Sequence, residues 1–104
     1  MKVEVADPVA AFIREQAPEP RKMLRLALRK LEKEQGDIQA LEGALRGYSR
    51  LRVGPYRIVF SRKARTGGKD CVRCLFAERR DTIYAVFSQM VQREILEHPS
   101  QADT

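Results

Sequence analysis

The sequence predicts an α+β fold: a short N-terminal strand, a two-helix hairpin, then a mainly antiparallel sheet of about four strands and a C-terminal helix. Three observations predict it. Two alternating runs rich in β-branched and aromatic residues, Tyr48–Val53 and Tyr56–Phe60, flank Gly54-Pro55, the pattern of a hairpin with a two-residue loop. Leu24, Ala27, Leu28 and Leu31 recur at i, i+3, i+4 and i+7, one face of a helix. Ile83, Phe87, Met90, Val91 and Ile95 form a second helical stripe near the C-terminus.

Taken in order, Lys2 to Ala6 alternates Val3 and Val5 with charged neighbours and reads as the first strand. Asp7-Pro8 starts a helix, Asp as N-cap and Pro at the first helical position. Val9, Phe12 and Ile13 are its apolar side, and Ala17-Pro18-Glu19-Pro20 breaks it. The second helix runs from about Pro20 to Gln35, with Gly36 as its stop. Its charged residues, Arg21, Lys22, Arg25, Arg29, Lys30, Glu32, Lys33 and Glu34, read first as a solvated face and second as a basic surface for nucleic acid. Ile38 to Gly47 is a connection with room for a helical turn.

In the hairpin, glycine takes the positive φ of a type II′ turn and proline suits the next position. The two-residue loop then pairs Val53 with Tyr56, Arg52 with Arg57, and Leu51 with Ile58. Leu51, Val53, Tyr56, Ile58 and Phe60 share one face, and Arg50, Arg52 and Arg57 share the other. Arginines directly opposite each other repel. Three cations gathered on one face suit an anion that arrives later, phosphate above all. The competing reading is a solubilising face that blunts a sheet edge.

Beyond the hairpin, Arg62 to Asp70 is a basic loop with Gly67-Gly68 at its apex. Cys71 to Glu78 returns as a strand, with Val72, Cys74 and Phe76 toward the helices and Arg73 on the other side. Asp81-Thr82 caps the last helix, which reaches about Leu96 and ends before His98-Pro99. The domain is expected to occupy residues 1–96, with 97–104 a frayed acidic tail.

The chain has 104 residues, enough for one domain with one modest core. Its net charge of +6 is unevenly placed. Residues 1–43 balance to zero, residues 44–80 carry eleven basic and two acidic side chains, and residues 81–104 carry one basic and four acidic. The positive field therefore belongs to the sheet region, and it points to nucleic acid or an acidic protein. Cys71 and Cys74 make one Cys-x-x-Cys, but zinc needs four ligands, and the single histidine, His98, lies in the tail. A strand would set the two thiols on opposite faces, as small buried hydrophobes in a reducing compartment. No metal or cofactor is expected. No apolar run approaches a membrane span and the N-terminus lacks a signal-peptide pattern, so a cytoplasmic protein without membrane contact is the expectation.

The order strand, helix pair and antiparallel sheet, carrying Arg-x-Arg-Val-Gly-Pro-Tyr-Arg-Ile-Val-Phe, resembles the RelE/ParE superfamily of bacterial toxin–antitoxin toxins. Leu41 and Gly43, Tyr48 to Phe60, and Arg79-Arg80-Asp81-Thr82-Ile83-Tyr84 carry the resemblance, which spans roughly residues 2–95. It implies a toxin neutralised by a small antitoxin protein. In the branch that cleaves RNA, the toxin acts on messenger RNA in the ribosomal decoding site, and a 2′-hydroxyl attacks the scissile phosphate. On that likeness Arg57, Arg80 and Tyr84 are the catalytic candidates, Tyr84 for base stacking or proton handling. Arg50, Arg52, Arg73 and Arg79 are the RNA-binding candidates. Arg50, Arg52 and Arg79 stand where ribonuclease members commonly carry Lys or His, and Glu78 stands six residues before Tyr84. The resemblance equally allows the branch that poisons DNA gyrase and cleaves nothing, or a non-catalytic relative that binds an antitoxin or RNA.

Overall fold

The computed structural model describes residues 1–64, 70–82 and 89. In chain order it contains strand β1 (Lys2–Val5), helices α1 (Asp7–Glu15) and α2 (Pro18–Leu31), and strand β2 (Asp37–Ala40). A short 3-10 helix (Gly43–Leu45) follows, then strands β3 (Tyr48–Val53), β4 (Tyr56–Ala64) and β5 (Asp70–Arg79). The strands form one sheet in the order β1-β5-β4-β3-β2, antiparallel except where β1 runs parallel to β5. The predicted α+β class holds. The expected C-terminal helix, the tail at 97–104 and the Gly67-Gly68 apex lie outside the described residues.

The helix pair covers one face of the sheet. Val9 and Ile13 of α1 and Leu24 and Leu31 of α2 are buried against Leu51, Val53, Tyr56, Ile58, Phe60, Val72 and Cys74. Ala27 and Leu28 pack at the margin, so the apolar stripe read from the sequence is the stripe that is buried. Phe12 meets the Tyr56 ring edge-on, with centroids 5.7 Å apart.

Both helix starts differ from expectation. Asp7 is not the N-cap of α1; Ala6 is, with no side-chain cap bond. Ala6 is still tied to the sheet, its N–H donating to Cys74 O at 2.9 Å, while its carbonyl accepts from Val9 and Ala10. The turn into the helix is thereby made one residue early, and Asp7 serves the first turn through the helix dipole instead. Helix α2 begins at Pro18 rather than Pro20, because neither proline removes an N–H that an intrahelical partner would have used in the first turn. It ends at Leu31, short of the expected Gln35. The exit runs through Glu34 at φ 57° and Gly36 at φ 128°. Gly36 is needed for space as well as for φ: a Cβ there would lie 2.8 Å from Leu51 Cδ1.

Three further differences concern the sheet. Ile38 to Ala40, expected in a connection, belong with Asp37 to the edge strand β2 paired with β3. The helical turn in that connection is present as the 3-10 segment. Arg62 to Ala64, expected in the basic loop, extend β4, and β5 starts at Asp70. Finally, β5 carries a bulge: Val59 pairs with Phe76 but Phe60 pairs with Cys74, leaving Leu75 extra. Phe76 therefore faces away from the helices, in a second apolar cluster with Val59, Leu45, Leu41, Tyr48 and Leu75. Strict alternation from Val72 would have pointed Glu78 into the core. The bulge instead sends Ala77 inward and turns Glu78 to the face of its partner Arg57.

Cys71 and Cys74 are free and buried. Cys74 belongs to the core beneath the helices and Cys71 does not, as the opposite-face reading requires. Burial pushes the Cys74 thiol up to about 12. It is a packing residue rather than a nucleophile.

Candidate anion-binding face of the sheet

The hairpin forms as the Gly-Pro turn dictates. Gly54 takes φ 57°, and β3 and β4 pair Val53 with Tyr56, Arg52 with Arg57, and Leu51 with Ile58. Arg50, Arg52 and Arg57 consequently stand on the sheet face that the helix pair leaves uncovered. The edge strand β2 adds what the sequence left unread. Asp37 lies across from Arg52, and Gln39 across from Arg50.

The three guanidinium groups are engaged within the chain. Arg50 Nη1 lies 3.3 Å from Asp37 Oδ1 and donates to the Asp37 carbonyl, and its Nη2 donates to Gln39 Oε1. Its side chain is only 15% exposed. Arg52 reaches the other oxygen of Asp37 at 3.9 Å but remains half in solvent. One carboxylate thus serves two arginines, so neither ion pair is full. Arg57 is 8% exposed, and its Nη1 donates to the carbonyls of Gly54 and Tyr56 at 2.8 Å each. The guanidinium folds back over its own turn and clamps it. Glu78, its partner on β5, brings a second carboxylate to this face.

The remaining candidates are dispersed. Arg73, across from Ser61, shares the Arg57 face by register, but it pairs with Glu4 of β1 at 3.5 Å. Arg79 lies opposite Tyr56, whose ring packs on α1, and so belongs to the helix side of the sheet. It is therefore not on the face of Arg57. Arg80 is at the hairpin end, its N–H donating to Pro55 O at 3.0 Å. Its side chain is 68% exposed and reaches Asp81 at 3.5 Å. Tyr84 lies outside the described residues. The geometry thus gathers Arg50, Arg52 and Arg57 and sets Arg80 beside their turn, while Arg73 and Arg79 stand apart.

The fold is that of the RelE/ParE-like toxins. The chain superposes on the YoeB/ParE toxin from Agrobacterium tumefaciens with a TM-score of 0.60 at 14% identity, over 77% of this chain and 99% of the other. It also superposes on a chain of the RelB–RelE antitoxin–toxin complex from Methanococcus jannaschii, with a TM-score of 0.56 at 22% identity, over 81% of this chain and 98% of the other. No protein-family model matches the sequence, and no curated protein matches it. Among the described residues, no helix is long and apolar enough to cross a membrane.

Proposed function

We propose that this protein is the toxin of a toxin–antitoxin pair and an endonuclease of ribosome-bound messenger RNA. The observation that carries the reading is the Arg52–Arg57 register, with Arg50 on the same face, in a fold shared with known toxins. Like charges held directly opposite cost stability unless an anion shares them. Cleavage by the 2′-hydroxyl builds negative charge on a pentavalent phosphorus, and guanidinium groups fixed beforehand stabilise that charge more than the starting diester. Arginine stays protonated and cannot serve as base. Proton transfer falls to Glu78, which lies across from Arg57, to Tyr84, to water or to the ribosome's RNA. The partner implied is a small antitoxin that brings acidic residues to the basic face.

A second reading, inhibition of DNA gyrase without cleavage, is favoured by one specific observation. Arg50 and Arg52 share Asp37, and Arg57 is bonded to carbonyls, so the anion site is partly occupied from within. Inducing the wild type, Arg57→Ala and Arg80→Ala, and mapping messenger ends in translated codons, separates the two. New ends with the wild type that vanish with Arg80→Ala support cleavage. Absence of new ends, with loss of supercoiling by purified gyrase, rejects cleavage in favour of the second reading.

A further inference from the structure

The outer side of α2 is a second cationic surface, on the opposite side of the molecule from the hairpin arginines. Between Pro20 and Leu31 the helix carries Arg21, Lys22, Arg25, Arg29 and Lys30 and no acidic residue. None of the five forms an ion pair with a described residue. Arg21, Lys22, Arg25 and Arg29 fall within an arc of about 100° around the axis. Leu24 and Leu31 point the other way, into the core. Arg21, Arg25 and Arg29 succeed one another at four-residue steps, about 6 Å of helix rise each. Together with Pro18, Lys22 and Leu26 they line an open groove of about 480 Å³.

A merely solvated face would intersperse Glu with Lys to gain favourable i,i+4 pairs, whereas this one sets Arg beside Arg. The glutamates of the region stand at the helix ends, and Glu34 beyond the C-terminus is engaged by Arg62. The composition also bears on the partner. A protein interface would centre on large apolar anchors, and of the exposed large hydrophobic side chains among the described residues only Leu26 lines this groove. Forked guanidinium donors repeated along a line match phosphates repeated along a strand.

We infer that α2 binds the phosphate backbone of folded RNA through Arg21, Arg25 and Arg29, independently of the hairpin face. RNA rather than DNA is chosen because the proposed target is messenger on the ribosome, and in that respect the inference rests on that reading. The test measures binding of the full chain to a labelled RNA hairpin by fluorescence anisotropy, with no cleavage required. Each phosphate contact contributes about 0.9 to the log–log salt slope, so R21Q/R25Q/R29Q should flatten it by between about two and three. Affinity near 0.1 M salt should fall at least about tenfold. R25Q alone, the milder variant, should flatten the slope by about one. An unchanged slope in R25Q, or a slope lost wholly to R52Q/R80Q, overturns the inference. So does unchanged RNA binding with loss of binding to polyglutamate, which would assign the surface to an acidic protein, and so does wild-type binding to a DNA duplex of the same length that is tighter than to the RNA hairpin. Messenger mapping with R21Q/R25Q/R29Q keeps failure here distinct from failure of the cleavage reading.

Discussion

Arg50 and Arg52 approach one carboxylate, Asp37, from positions two apart on β3, and each would meet a bound phosphate only by loosening that contact. Exposed ion pairs contribute about 0–1 kcal/mol each, so the competition is real but modest. Asp37→Ala should therefore tighten RNA binding by about three- to tenfold, an RT ln scale of up to about 1.4 kcal/mol, with little change in melting temperature. Anisotropy titrations of the two proteins check it; equal affinities would mean that Asp37 does not compete. Cys74 shows the converse case, a titratable group with no ligand role. Its thiol stays protonated in the fold up to about 12, whereas an unfolded chain ionises near the ordinary thiol value of 9.0. Burial of the neutral thiol stabilises the protein fully below pH 9 and loses that contribution as pH rises toward 12. The stability difference between wild type and Cys74→Ala should narrow above pH 9, by up to about 1.4 kcal/mol per pH unit. Urea midpoints at neutral and alkaline pH measure it.

At the scale of elements, the hairpin is both scaffold and candidate site, because Arg57 holds the turn that positions it. Hydrogen bonds from charged donors contribute about 1.5–3 kcal/mol, so Arg57→Ala should lower the melting temperature by about 6 °C or more. Arg57→Lys keeps the charge but not the fork, and should recover part of that stability without restoring cleavage. If Arg57→Ala melts like the wild type, the clamp is not structural and its chemistry can be read directly. This hairpin was legible because Gly54-Pro55 permits one turn type, which fixes every pair on both strands. Helix α2 was legible in its buried stripe but not at its ends, where two prolines offer equivalent starts and the packing of Gly36 under Leu51 decides the exit. The strand β2 has one partly buried residue, Ile38, and its polar–apolar alternation spans only four residues, too short to tell from a connection; its pairing comes from β3. The bulge at Leu75 left no local mark either, since Cys74-Leu75-Phe76 is apolar throughout. Those two silent features decide the site: β2 supplies Asp37, and the bulge supplies Glu78. The charges of the face could thus be counted in the sequence, but not their partners.

Across the whole molecule, the sheet is closed at one side by a strand taken from the far end of the described chain. β1 lies parallel to β5, with Lys2 to Val5 matched to Cys71 to Cys74, and Ala6 continues the ladder to Cys74 O. Met1 and Val3 pack on the core, and α1 follows directly, so β1 also fixes where the helix pair lands. β5 is ten residues long and is kept from being the sheet edge over Cys71 to Cys74 only because β1 pairs with it there. Stripped of that cover it would become an open edge with unpaired backbone groups, a template for pairing with other chains. Deleting residues 1–5 removes four strand residues and the apolar contacts of Met1 and Val3. At about 1 kcal/mol per backbone hydrogen bond plus the lost burial, the cost is about 4–6 kcal/mol. A domain of this size is stable by only about 5–15 kcal/mol, so the shortened chain should lose most of its margin. Its melt should move down by 20 °C or so or lose cooperativity (about 4–8 °C per kcal/mol), and light scattering should rise with protein concentration as exposed β5 edges associate. A cooperative melt near the wild-type temperature, with no scattering, would show instead that three antiparallel pairings and the helix pair suffice, and that β1 is an appendage to the sheet.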